Sequence, residues 1–219
     1  MKPIILASAS PRRKELFGLL GLPFVVRSTE ADESPRLNET PEILVSRLSA
    51  TKAAAACDEI EQSGEFPAGA LVVAADTIVV LEGEVLGKPR TAVEAEWMLD
   101  SLRDCAHQVH TAVTVADLPD RRAQIHLSTT TVWMRDYEDA EIEVYVDSGD
   151  PMDKAGAYAI QHADFHPVDR IEGCYTGVVG LPLKALVQGL AAFGVHPPVD
   201  VAKVCRDWTG EACCLDANG

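Results

Sequence analysis

The chain has 219 residues, a formal net charge of −15 and six cysteines. The acidic balance excludes the basic face that a long nucleic acid requires, yet it leaves small anions open, because they need only a local positive pocket. No apolar run approaches the roughly 20 residues of a membrane-spanning helix, and the apolar start at residues 4–7 turns polar at Ser8, too soon for a secretory leader. Neither a membrane nor a nucleic acid polymer is expected as partner, and a cytoplasmic location is. The cysteines, Cys57, Cys105, Cys174, Cys205, Cys213 and Cys214, form no matched CxxC pairs, so reduced, non-catalytic thiols are expected. Three of them cluster in the tail, where oxidation or adventitious metal stays open.

In chain order, residues 4–7 read as a short buried strand. Ser10 suits a helix N-cap with Pro11 at the first helical position. Leu16, Leu19 and Leu20 supply that helix's apolar face, and Gly21 ends it. Residues 27–39 are loop-like, Thr40-Pro41 starts a second helix running to about Ala56, and residues 61–69 read as a turn. A buried strand at 71–75 is interrupted by Asp76-Thr77. Two apolar runs flanking Glu82-Gly83-Glu84 signal a hairpin. Thr91 and Glu94 make a capping box, opening a helix expected to bury Val93, Trp97, Leu99 and Leu102. Strands follow at 110–116 and 124–134, then a helix at 139–146. Pro182 opens the last regular helix, closed at Gly194. The alternation of strands and helices, with one hairpin, predicts an α/β fold around a mixed sheet. One main domain over 1–197 and a tail over 198–219 are expected.

Four local features carry candidate chemistry. Ser8-Ala9-Ser10-Pro11-Arg12-Arg13 falls where a strand meets a helix N-terminus, an anion-binding position. Arginines in a first turn oppose the helix dipole unless an anion lies between them; phosphate suits them, since arginine binds it bidentately. A solvated basic turn is the competing reading. Asp76, at the end of a buried strand, can bind Mg2+ or Mn2+, take a proton from water, or simply form a turn with Thr77. Glu33 is a second carboxylate in a loop. Lys52, among alanines late in the second helix, and Lys88, in Gly87-Lys88-Pro89, are isolated cations. Residues 149–161 form a glycine-containing turn and a strand ending in Gln161, whose amide can donate and accept at a base edge. Neither GxxxxGK[ST] nor GxGxxG occurs. His162 and His166 lack a helix to support a metal pair.

Together these strings resemble the Maf family. Leu6 through Leu16, Asp32-Glu33-Ser34, Lys52-Ala53, Ala75-Asp76-Thr77, Leu86-Gly87-Lys88-Pro89, Asp153-Lys154-Ala155-Gly156-Ala157-Tyr158 and Gly173 through Pro182 follow its signature in order and spacing. The resemblance implies a mixed twisted sheet flanked by helices, in two lobes around a cleft, similar to inosine triphosphate pyrophosphatases. It implies a metal-dependent hydrolase that cleaves nucleoside triphosphates to monophosphate and pyrophosphate, with Mg2+ or Mn2+, and a possible homodimer. By that resemblance Asp76 is the proton acceptor and, with Glu33, a metal ligand. Ser8, Arg13, Lys52 and Lys88 handle phosphate; Arg12, Thr77 and Gln161 govern base choice and resemble the dTTP and UTP branch. Cleavage of 7-methyl-GTP or another modified nucleotide, and a low-turnover nucleotide-binding regulator of cell division, are the competing functions. One departure stands out: Gly177 occupies a position where the family usually carries asparagine, which bears on substrate preference and turnover.

Overall fold

A computed structural model of the chain describes residues 2–32, 34, 36–66 and 69–216. Seven strands form one mixed sheet: β1 (Ile4–Leu6), β2 (Phe24–Val26), β3 (Leu71–Leu81), β4 (Glu84–Leu86), β5 (Ala106–Asp117), β6 (Ala123–Met134) and β7 (Val168–Glu172). Their order is β2-β1-β3-β5-β6-β7, with β4 on the remaining stretch of β3. Strands β1 and β2, and β1 and β3, run parallel; the pairings of β3 with β5 and β4, β5 with β6, and β6 with β7 are antiparallel. The helices are α1 (Pro11–Gly18), α2 (Pro41–Ser63), α3 (Ala92–Leu102), α4 (Asp139–Asp147), α5 (Tyr175–Val179), α6 (Leu183–Ala191) and α7 (Val201–Thr209).

The long strand β3 organises the molecule. On one flank it pairs with β5 from Leu71 to Val80. On the other, β1 takes Leu71, Val72 and Val73, while β4 takes Val79, Val80 and Leu81. Between these partners the sheet is split, and Asp76 and Thr77 lie at the split. Side chains alternate along a strand. Val72 and Ala74 therefore pack on Ala53, Ala56, Cys57 and Ile60 of α2. Leu71, Val73 and Ala75 face the other way, onto Leu16 and Phe17 of α1 and Leu183 and Leu186 of α6. A third cluster, with Val79, Met98, Leu99, Tyr137 and Tyr145, joins α3 and α4 to the far end of the sheet.

Several expectations are corrected. Asp76-Thr77 does not interrupt the strand: both pair with β5, opposite Ala112 and Thr111. A polar side chain leaves the backbone ladder intact when its face opens into a cleft. Helix α2 runs on through the expected turn to Ser63, because Cys57 and Ile60 still find a core partner. Val93 and Trp97 are exposed; α3 buries Ala95, Met98, Leu99 and Leu102. Those four share one helical face, which an alanine at its edge disguises. The segment before Gln161 forms two 3-10 turns, Asp150–Asp153 and Ala155–Ala157, with no strand. The tail holds a further helix, α7, capped by Asp200, so the helix after Pro182 is not the last. Cys205 and Cys213 are buried in the same cluster as Val179 and Leu181. Strands β2 and β7 and helix α5 are too short for a period to show.

Candidate active site

The split in the sheet is the floor of a cleft of about 1010 Å3, at the upper end of small-molecule sites. Ser8, Arg12, Arg13, Lys52, Asp76, Thr77, Lys88 and Gln161 all border it. Glu33 lies outside the described residues. Among the described lining residues seven are basic (Arg12, Arg13, Arg36, Lys52, Lys88, Arg90, Lys154) and five acidic (Glu39, Asp76, Glu84, Glu94, Asp153). A local excess of positive charge thus exists on a chain of net charge −15, as an anionic ligand requires.

Each side chain is held by an identifiable element. Ser10 caps α1: its hydroxyl accepts from the Arg13 N–H at 3.4 Å, and the Ser8 hydroxyl accepts from the Ser10 N–H at 3.2 Å. The strand-to-helix turn is therefore built as its sequence predicts. Asp76 points to the α2 side of β3, is 8 % exposed, and forms an ion pair with the Lys52 ammonium. Lys52 reaches it because it sits one turn after buried Leu48 on α2. Thr77 points to the opposite face. There Arg13 donates from Nη2 to Thr77 Oγ1 at 3.2 Å and from Nε to the Gly180 carbonyl at 2.8 Å. Gly180 has φ 123°, and an added Cβ would sit 3.4 Å from Arg13 Nε; a left-handed backbone there favours glycine. The Thr111 hydroxyl lies 3.0 Å from Thr77 Oγ1 and 2.8 Å from the Gly177 carbonyl. Lys88, after β4, and Gln161, on a turn, are exposed at the cleft. Arg12 pairs with Asp153 at 3.4 Å. On the rim, Arg47 binds Glu39 at 2.7 Å, and that hydrogen bond holds the carboxyl down to about 2.

Gly177 does not border the cleft. It lies within α5, where an added Cβ would meet Ser128 Oγ at 3.2 Å and Cys174 Cβ at 3.3 Å. Its carbonyl is linked to the site through the Thr111 hydroxyl. Among the described residues that line the cleft there is no cysteine. His162 Nδ1 accepts from the Phe165 N–H at 3.0 Å, closing a turn. Sequence reasoning assigned no role to Thr111, Gly180, Asp153 or Lys154. Gly180, Asp153 and Lys154 lie within segments that resemble the family signature; Thr111 sits in an apolar strand and carried no signal.

Among the described residues no group of three or more His, Cys, Asp or Glu side chains can hold a metal ion. Asp76 is one carboxylate among cations, which does not make an all-protein cage. It does suit Mg2+, which commonly takes one or two carboxylates and completes its shell with phosphate oxygens and water.

An α/β sheet split over a cationic cleft with one paired carboxylate on its floor describes a nucleotide-handling protein. The Maf-like protein family profile matches residues 3–193, and the chain belongs to that family. It is 44% identical over 196 residues to the dTTP/UTP pyrophosphatase of Pelotomaculum thermopropionicum, covering 90% of this chain and 99% of that protein. It is 46% identical over 194 residues to the protein of the same name from Symbiobacterium thermophilum, covering 89% and 95%. The corresponding protein of Dictyoglomus turgidum is 40% identical over 193 residues, covering 88% and 97%. Among the described residues no helix is long and apolar enough to cross a membrane.

Proposed function

We propose that this protein is a nucleoside triphosphate pyrophosphatase that hydrolyses dTTP and UTP to the monophosphate and pyrophosphate. The observation that carries the reading is the meeting of Asp76 and Lys52 with Arg13 and Thr77 at the split of the sheet. Relatives named for that activity match nearly their whole length.

In this reading the triphosphate lies along the strand-to-helix turn at Ser8. Arg13 is already held by Gly180 and Thr77, so its guanidinium meets phosphate oxygens without reorganising. Lys52 and Lys88, from α2 and the loop after β4, neutralise charge from either side. Asp76 orients a water and accepts its proton as the water attacks the α phosphorus; the α–β bridging oxygen leaves with pyrophosphate. A bound divalent cation supplies charge neutralisation to the phosphates, and Asp76, with Glu33, would hold it. Arg12, Thr77 and Gln161 choose the base. In the same reading residues 1–197 are the catalytic domain and 198–219 a C-terminal tail.

The test is pyrophosphate release with Mg2+ or Mn2+ across dTTP, UTP, CTP, GTP and 7-methyl-GTP. Preferential release from dTTP and UTP, lost with a chelator and regained on adding metal, is expected. Preference for 7-methyl-GTP would overturn the choice of branch. Nucleotide binding without release would favour the regulator instead.

A further inference from the structure

Lys154 borders the cleft yet is only 8 % exposed, and no step above uses it. An ammonium has three protons and accepts nothing. Here it meets three acceptors: Asp153 Oδ1 at 2.7 Å, Asp150 Oδ1 at 3.0 Å and the Asp150 carbonyl. None remains for a phosphate, unlike an exposed lysine such as Lys88. Both carboxylates lead onward. Asp153 Oδ2 pairs with Arg12 Nη2 at 3.4 Å. Asp150 Oδ2 accepts from the Tyr145 hydroxyl at 2.9 Å, and that hydroxyl accepts from the Ala159 N–H at 3.2 Å. Ala159 is two residues before Gln161. A continuous polar chain therefore joins Arg12, on α1, to the turn that carries Gln161. Gly156 N–H also donates to the Gly87 carbonyl at 3.0 Å, tying the same segment to the loop of Lys88. Burial is the strongest single influence and works to raise the Asp150 and Asp153 carboxyls, but the hydrogen bonds from Lys154, joined by the Tyr145 hydroxyl at Asp150 and by Arg12 at Asp153, together leave both below the ordinary range.

We propose that Lys154 is a positioning residue for base discrimination, holding Arg12 and the Gln161 turn at one separation so that together they read a pyrimidine edge. The proposal rests on the functional reading above. It explains why a buried cation, costly unless fully paired, sits beside a cleft without facing it. A site whose polar groups are fixed rejects a mismatched base strongly, because a mismatch leaves them unpaired. If Arg12 and Gln161 moved independently they would adapt to several bases.

The experiment compares wild type with Lys154→Met, Lys154→Arg and Asp153→Asn. It measures kcat and KM for UTP and CTP, melting temperature, and equilibrium binding of the non-hydrolysable α,β-imido analogues of both nucleotides. For Lys154→Met we expect KM for UTP to rise about tenfold and kcat to fall less than about threefold. The UTP-over-CTP preference should drop about tenfold, the scale of one good polar contact. Lys154→Arg should recover part of that preference. Asp153 is exposed, so Asp153→Asn should fold; it weakens the hold on Arg12 alone and should lose a smaller share of the preference. Equal loss of kcat on both nucleotides with the preference retained, or a lowered melting temperature alone, would overturn the proposal. If Lys154→Met does not fold, the Asp153→Asn preference decides. If wild type releases no pyrophosphate, the functional reading fails, and the ratio of imido-UTP to imido-CTP binding still tests Lys154.

Discussion

Asp76 and Arg13 show how single side chains are prepared for the proposed chemistry. Asp76→Asn keeps the shape but cannot accept a proton, so kcat should fall about 10²–10³-fold, the usual scale for one well-placed group, and the melting temperature should fall as well, because the half-buried Lys52 ammonium loses the Asp76 charge. Pyrophosphate release and thermal unfolding of the same preparation check this. Arg13 donates from Nε to Gly180 O and from Nη2 to Thr77 Oγ1; a lysine offers one point-like ammonium in place of the separate nitrogens of that planar fork. Arg13→Lys should raise KM for the nucleotide by roughly tenfold, measured by steady-state kinetics.

At the scale of elements, the 3-10 turn Ala155–Ala157 packs directly on β3. Gly156 has φ 68°, and an added Cβ would lie 3.0 Å from both Val79 Cγ atoms. Gly156→Ala therefore combines a strained backbone with a clash against a β-branched side chain. It should lower stability by about 1–3 kcal/mol, read from the denaturant midpoint at constant slope. Elements long enough to repeat their pattern are legible in the sequence: α2 from its Thr40-Pro41 start, and β6 from alternation. The burial of α3 was not, because its inner face begins with Ala95 while Val93 and Trp97 lie outside. A hydrophobic residue on the wrong helical face looks like core until its neighbours are known.

The molecule as a whole carries a pH dependence and a dependence on its tail. His107 is buried, with Nε2 2.8 Å from the Tyr158 hydroxyl, and desolvation pushes its pKa down to about 4. The unfolded chain takes up that proton near pH 6.5, so folded stability falls as pH is lowered from about 6.5 to about 4, by at most about 3 kcal/mol from this group. Urea midpoints across that window should decline, and His107→Gln should flatten the decline. The tail closes the face beyond α1. Trp208 donates to Glu15 at 2.8 Å and sits edge-on to Tyr175 at 6.3 Å, while Cys205 and Cys213 fill the core beside Val179. Ending the chain before Asp200 should uncover that cluster and lower the melting temperature by several degrees, with no cleft residue removed; calorimetry of the shortened chain checks this.

From its sequence alone the chain's fold class and family were legible, and eight of the nine candidate site residues named from it border one cleft. Capping residues, strand alternation and short charged strings are local, and local chemistry is written in order along the chain. The tertiary structure alone decided that Asp76 and Thr77 belong to one unbroken strand, facing opposite ways into one cleft. It also decided that Thr111 and the Gly180 carbonyl stand behind Thr77 and Arg13, and that Lys154 is buried and fully paired. The contacts of Thr77 and Arg13 with Thr111 and Gly180 join residues from 34 to 167 positions apart. They depend on the register between β3 and β5 and on how α5 lies against them, and neither is set by residues adjacent in the chain.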